Sequence, residues 1–127
     1  MTVAGIAIAG ALGALARYGV GVAFGPRRPD AFPVATFLIN VSGSLALGFL
    51  VELFTVRYTN LASLRTSITV GFLGAYTTFS TFSLETMRLI QFGAPTLAAV
   101  YVASSVVAGV IFAAAGSVLG GVVARAV

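Results

Sequence analysis

The chain contains no cysteine, no histidine and no tryptophan, and only 8% of its 127 residues are charged. Without cysteine there is no disulfide framework, thiol nucleophile or thiolate metal site, and without histidine the commonest acid/base group and metal ligand is missing. Most metalloenzyme and nucleophilic-triad chemistries are thereby excluded, and no enzymatic activity is expected. Lysine is absent as well: the seven basic residues are all arginines, set against three acids for a formal charge of +4. A soluble domain usually carries about a quarter charged residues, so this is not the composition of a soluble globular protein.

Apolar residues dominate instead, at 59%. A spanning helix needs about 20 largely apolar residues, so four would take roughly 80 to 90 residues and leave no room for a second domain. Four apolar segments are present, at about residues 3–24, 32–54, 66–92 and 96–123. Gly25-Pro26-Arg27-Arg28-Pro29-Asp30, the stretch from Arg57 to Arg65, and Gly93-Ala94-Pro95 connect them. No basic region precedes the first segment, which therefore reads as a retained span and not a cleaved signal. The expectation is an all-α integral membrane protein with one four-helix transmembrane domain. Small residues recur at four-residue spacing: Gly5, Ala9 and Gly13; Ser44 and Gly48; Gly109, Ala113, Ser117 and Gly121. Lipid offers no hydrophobic drive for helices to associate, so such stripes predict close backbone packing.

The arginines include one adjacent pair and no basic stripe, which suits interfacial anchors and topology markers and argues against a nucleic-acid partner. Four spans would put Arg57, Arg65 and Arg125 on one side, with Arg27, Arg28 and, near its helix end, Arg88 on the other. The excess that normally fixes orientation is missing. This near-balance is what an antiparallel, dual-topology dimer requires.

An intramembrane polar group is expensive unless it faces a partner or water. Arg17 lies about two turns before the first connection. Two readings stand for it, a side chain snorkelling to the interface or a positive charge at the mouth of a water-filled vestibule. Glu52 is close to its helix end, whereas Glu85 directly follows the polar stretch of segment three and is a candidate for a cavity. Asn40 is mid-span, and its amide must find either an interhelical hydrogen bond or a permeating ion to serve as donor. Segment three concentrates Thr77, Thr78, Ser80, Thr81 and Ser83 around Phe79 and Phe82, after Gly71 and Gly74. Three β-branched threonines and two glycines make continuous helix unfavourable here. Broken helices at membrane depth survive only where the freed backbone groups are buried in protein or line an aqueous cavity, so a break would mark the site. Phe79 and Phe82, three residues apart, share a face. They are either packing residues or ring edges, positive at the rim, that line an anion path without fixed charge.

Three stretches resemble, in order and spacing, the Fluc (CrcB) fluoride-channel family. They are Gly10-Ala11-Leu12-Gly13-Ala14-Leu15-Ala16-Arg17-Tyr18, Asn40-Val41-Ser42-Gly43-Ser44-Leu45-Ala46-Leu47-Gly48-Phe49-Leu50, and the run from Gly71 through Thr77-Thr78-Phe79-Ser80-Thr81-Phe82 to Glu85. The resemblance implies a passive fluoride channel of a prokaryotic cell membrane. It also implies an antiparallel homodimer with two pores, whose third helix breaks near the membrane midplane. By the same resemblance, the backbone carbonyls of Gly74 and Thr77 from both copies would hold a structural Na⁺. Asn40, Phe79, Phe82, Ser80, Thr81, Tyr101 and Ser105 would line the fluoride path, with Arg17 at its vestibule. Where the family often has another hydroxyl beyond Ser105, this chain has Gly109, so either water or Ser104 serves that step. The implied partners are fluoride, the lipid bilayer and a second copy of the chain. Two rivals differ in kind. A small proton-coupled multidrug exporter would need an acid in its first helix, and there is none. A non-transporting membrane scaffold would leave the polar run unexplained.

Overall fold

Backbone in hydrocarbon must satisfy its own N–H and C=O groups, which restricts this chain to helices or a closed barrel. A computed structural model describes residues 2–25 and 28–126, whose regular elements are all helical with no strand among them. The elements in order are α1 (Thr2–Phe24), α2 (Val34–Val56), α3 (Ala62–Thr66), a π-helical stretch (Ser67–Leu73), α4 (Gly74–Tyr76), α5 (Phe79–Gln91) and α6 (Pro95–Ala126). Helices α1, α2 and α6 are long and apolar enough to cross a membrane. The protein is a multi-pass membrane protein.

The bounds differ from the expected spans in instructive ways. The second helix starts at Val34, not near residue 32, because Pro33 occupies the cap position and its carbonyl takes the first helical bond, from Phe37 N at 3.0 Å. The third segment begins earlier, at Ala62, and is not one helix: its course changes hydrogen-bond pattern at Ser67 and leaves helical geometry at Thr77 and Thr78, whose ψ angles are 159° and 115°. Helix α6, expected at 96–123, has 32 residues. At 1.5 Å per residue it extends about 48 Å, well beyond a hydrocarbon core.

Chain reversals use glycine where a left-handed backbone is needed. Gly93, at φ 79°, ends α5 with Gly93 N bonded to Ile90 O and Ala94 N to Leu89 O, a paired closure that lets α6 begin two residues later. Of the first connection, Pro26 and Arg27 lie outside the described residues. Beyond them Arg28 makes a two-pronged ion pair with Asp30, at 3.1 and 2.9 Å, which lowers the Asp30 carboxyl below its ordinary range. At the opposite end, Thr2 Oγ1 lies 2.9 Å from Ser63 Oγ, so the start of α1 and the second connection share one end of the bundle.

Helix α2 packs principally on α6, and glycines set their separation. A Cβ at Gly48 would meet the carbonyl of Ala113; one at Gly116 would meet Leu45 O, and one at Gly120 Phe49 O. The expected α6 stripe faces α2 along its length: a Cβ at Gly109 would lie 3.8 Å from Ser44 Oγ, Ala113 O and Ser117 N sit against Gly48, and a Cβ at Gly121 would lie 3.5 Å from Glu52 Cγ. Gly116 and Gly120 add a tighter row beside it, which the four-residue spacing did not single out.

Candidate functional site

The interruption of segment three is built by diversion of two helical hydrogen bonds. In a continuous helix Thr78 N–H would donate to Gly74 O, four residues back. Here it donates to Asn40 Oδ1 of α2 at 2.8 Å, while Asn40 Nδ2 donates to Thr78 O at 3.0 Å. Thr81 N–H, which would have reached Thr77 O, donates instead to Thr78 Oγ1 at 3.2 Å, so Thr78 caps α5. The carbonyls deprived of these helical donors are those of Gly74 and Thr77. Both residues line one cleft of about 360 Å³, together with Asn40, Phe79, Phe82 and Ser105. Helix α5 opens at Phe79 beside the cleft, with the partial positive charge of a helix N-terminus.

Asn40 thus makes an interhelical bond, and to the peptide of Thr78 rather than to a side chain. One of its two N–H groups is used by Thr78 O, which leaves the second for the cleft. The two phenylalanines part company. Their ring centroids are 5.9 Å apart at a 38° tilt, but Phe82 also packs on Tyr101 at 5.0 Å, whereas Phe79 is 79% exposed. Phe79 is not a packing residue within this chain. Ser105 Oγ is buried and has no hydrogen-bond partner among the described residues. A buried hydroxyl normally has one, so this oxygen is a donor in search of an acceptor.

A second cavity, of about 660 Å³, holds Arg17, Ser80, Thr81 and Glu85 along with Thr36, and Thr78 belongs to both. The candidate residues therefore fall into two groups on either side of the Thr78 peptide, one aromatic and amide-lined, the other carrying a guanidinium and a carboxylate. Thr78 Oγ1 donates to Thr81 Oγ1 at 3.0 Å and lies 3.4 Å from Ser80 Oγ, forming a hydroxyl cluster between them. Tyr101 lines neither space. It is fully buried among Phe32, Phe82 and Leu89, and its hydroxyl donates to Glu85 Oε2 at 3.0 Å. Glu85 does reach a cavity.

Sequence reasoning passed over Thr78, which the run of hydroxyls contained but did not single out, and Thr36, a buried threonine with no signal beyond its position. The acids are too dispersed to hold a metal: no group of three or more possible ligating side chains occurs among the described residues, so a cation here would rest on backbone oxygens.

Residues 4–117 match the family described as CrcB-like protein, Camphor Resistance (CrcB). The chain belongs to the CrcB family. CrcB relatives named fluoride-specific ion channel FluC include one from Nitrobacter winogradskyi, 48% identical over 105 residues that cover 83% of each chain. Another, from Acidobacterium capsulatum, is 43% identical over 115 residues, 91% of this chain and 92% of the relative. The protein from Magnetococcus marinus is 44% identical over 120 residues, covering 94% and 98%. This CrcB family of ion channels is not a family of enzymes.

Proposed function

We propose that this chain is the subunit of a passive, fluoride-selective channel of the cell membrane that exports cytoplasmic fluoride, working as an antiparallel homodimer with two pores. The names carried by its relatives support the ion. The observation that carries the mechanism is the cleft beside the Thr77–Thr78 interruption, where an amide, an unpartnered hydroxyl and two aromatic rings converge without a fixed positive charge.

Fluoride is small, strongly hydrated and a strong hydrogen-bond acceptor, so a pathway must replace its water with donors. Arg17 attracts anions to the second cavity, and the hydroxyls of Ser80 and Thr81 take the ion toward the Thr78 peptide. Beyond it the second N–H of Asn40 and the hydroxyl of Ser105 donate to the ion, and the ring edges of Phe79 and Phe82 face it between them. Tyr101 acts from behind Phe82, holding that ring and the Glu85 carboxylate. Weak, successive donors let the ion leave, which a buried arginine in the cleft would prevent. An interior negative by 100 mV drives one elementary charge outward with about 2.3 kcal/mol, roughly a fifty-fold ratio, so no pump is needed.

Gly74 and Thr77 fit a hard cation such as Na⁺, because the donors that would occupy their carbonyls are bonded elsewhere and both residues line the same cleft. Two copies would contribute four such oxygens, and a Na⁺ bound by them would tie the two subunits together. A second copy would also cover Phe79.

Proteoliposomes containing only this chain, loaded with fluoride or chloride and given a potassium diffusion potential, test the proposal. Rapid fluoride efflux with chloride retained is expected. Retention of both ions, or equal loss of both, would reject it.

A further inference from the structure

The third segment is fastened at two places to two different helices. Its upstream part is fastened to α1. A Cβ at Gly5 would meet Ser67 Oγ, one at Gly71 would lie 2.8 Å from Ile6 O and 3.0 Å from Ala9 Cβ, and one at Gly13 would meet Phe72 O. Its downstream part is fastened to α2: Tyr76 OH lies 3.0 Å from Ser42 Oγ, Thr77 Cγ2 sits where a Cβ of Gly43 would be, and the Thr78 peptide is held at both ends by Asn40.

Ser67, through its side chain at Gly5, and Phe72, through its backbone carbonyl at Gly13, are five residues apart and both meet α1. In an α-helix residues five apart lie about 140° from each other around the axis and do not share a helix face. In the π-helical stretch they do, because hydrogen bonds there run across five residues, as in the bond from Gly74 N to Thr69 O. Such turns carry one residue more than an α-helix would use. Closing this one would rotate everything downstream by about 100° relative to α1 and turn Gly74 and Thr77 away from α2.

We propose that the π-helical stretch Ser67–Leu73 is a positioning element whose extra residue sets the rotation of Gly74, Thr77 and the Thr78 peptide, so that the α1 and α2 contacts are met together and these groups face the cleft. The consequence for ion flow rests on the functional reading above; the geometric claim does not.

Deletion of Val70 tests it, since that side chain is 59% exposed and lines neither cavity. A companion variant combines this deletion with an alanine inserted after Ser67, which restores the residue count while keeping Ser67, Gly71 and all later residues in place. The chain lacks cysteine, so Gly43→Cys with Thr77→Cys provides a unique reporter of rotation in each background. At the original length the pair should cross-link on mild oxidation. With Val70 deleted it should not, and the alanine insertion should restore it. In chains without the cysteines, fluoride efflux should fall at least tenfold on deletion and return to within twofold with the insertion. Should the deletion variant fail to fold, a count-restored chain that folds, cross-links and conducts still supports the proposal. Cross-linking that survives the deletion, or a count-restored chain no better than the deleted one, overturns it. Cross-linking as expected in the cysteine pair, together with no fluoride efflux from the cysteine-free chain of original length, would overturn the channel reading and leave the positioning role standing.

Discussion

Helix α2 contacts its neighbours in two contrasting ways. Toward α6 it meets a continuous helix, and the contact is made by absence: Gly48, Gly116 and Gly120 let main chain approach main chain. Toward the third segment it meets a backbone that has left helical geometry, and there the contact is made by a functional group, the Asn40 amide standing in for a missing helical partner. Where the backbone satisfies itself, neighbouring side chains matter mainly for the room they take. Where it does not, a neighbour's side chain enters the hydrogen-bond accounting of the main chain and decides where carbonyls point. The first region should respond to mutation through stability and the second through transport.

The strongest way to break that contrast is Gly116→Val. The atoms in its way are the Leu45 carbonyl and the Phe49 amide nitrogen, backbone that cannot step aside. A destabilisation at or beyond the upper end of about 1–3 kcal/mol is expected, with loss of monodisperse protein in gel filtration. Normal yield with altered selectivity would reverse the roles of the two contacts.

Asn40→Ala strikes the second contact. It strands the Thr78 N–H and C=O, at about 1–3 kcal/mol for each group left without a partner, and removes a donor from the cleft. Fluoride efflux should fall at least tenfold in whatever fraction remains folded, measured against protein content by gel filtration. Folded protein with ordinary efflux would reduce the amide to a packing element.

A finer distinction comes from Phe82→Ile. Apolar bulk against Tyr101 is largely kept, so the cost in stability should stay at about 1–3 kcal/mol. Isoleucine has no positive ring edge, so efflux per folded protein should drop several-fold if the ring serves the ion. Unchanged efflux would identify Phe82 as packing only.

Ser105→Ala should give the smallest change and the cleanest separation. Its hydroxyl makes no bond among the described residues, so thermal stability should hold or rise slightly. Loss of one donor to the ion, worth about 0.5–1.5 kcal/mol, should lower efflux roughly two- to tenfold. A drop in melting temperature without an effect on efflux would show that the hydroxyl serves the fold.

The apolar segments were legible because a span demands about 20 largely apolar residues, and the run from Thr77 to Ser83 stood out because hydroxyls are scarce in such surroundings. The Asn40 amide was recognisable as a group that needs a partner. Its partner was not, since the Thr78 peptide lies 38 residues away and a backbone group has no letter in the sequence. Phe79 and Phe82 looked equivalent at their spacing, yet one is exposed and the other packs on Tyr101.

What the sequence by itself determined, then, is an environment and an inventory: helices of spanning length, glycines at two reversals, and a small set of polar side chains, densest between Thr77 and Ser83. What only the tertiary structure decided is orientation. In a soluble helix the boundary between polar and apolar faces records which side is buried, but α1, α2 and α6 are apolar all round and carry no such record. Which glycines touch, where the π-helical turn falls and which carbonyls lose their helical donors follow instead from contacts between distant segments, because in lipid it is backbone satisfaction and close packing, rather than the separation of oil from water, that choose among rotations of a helix.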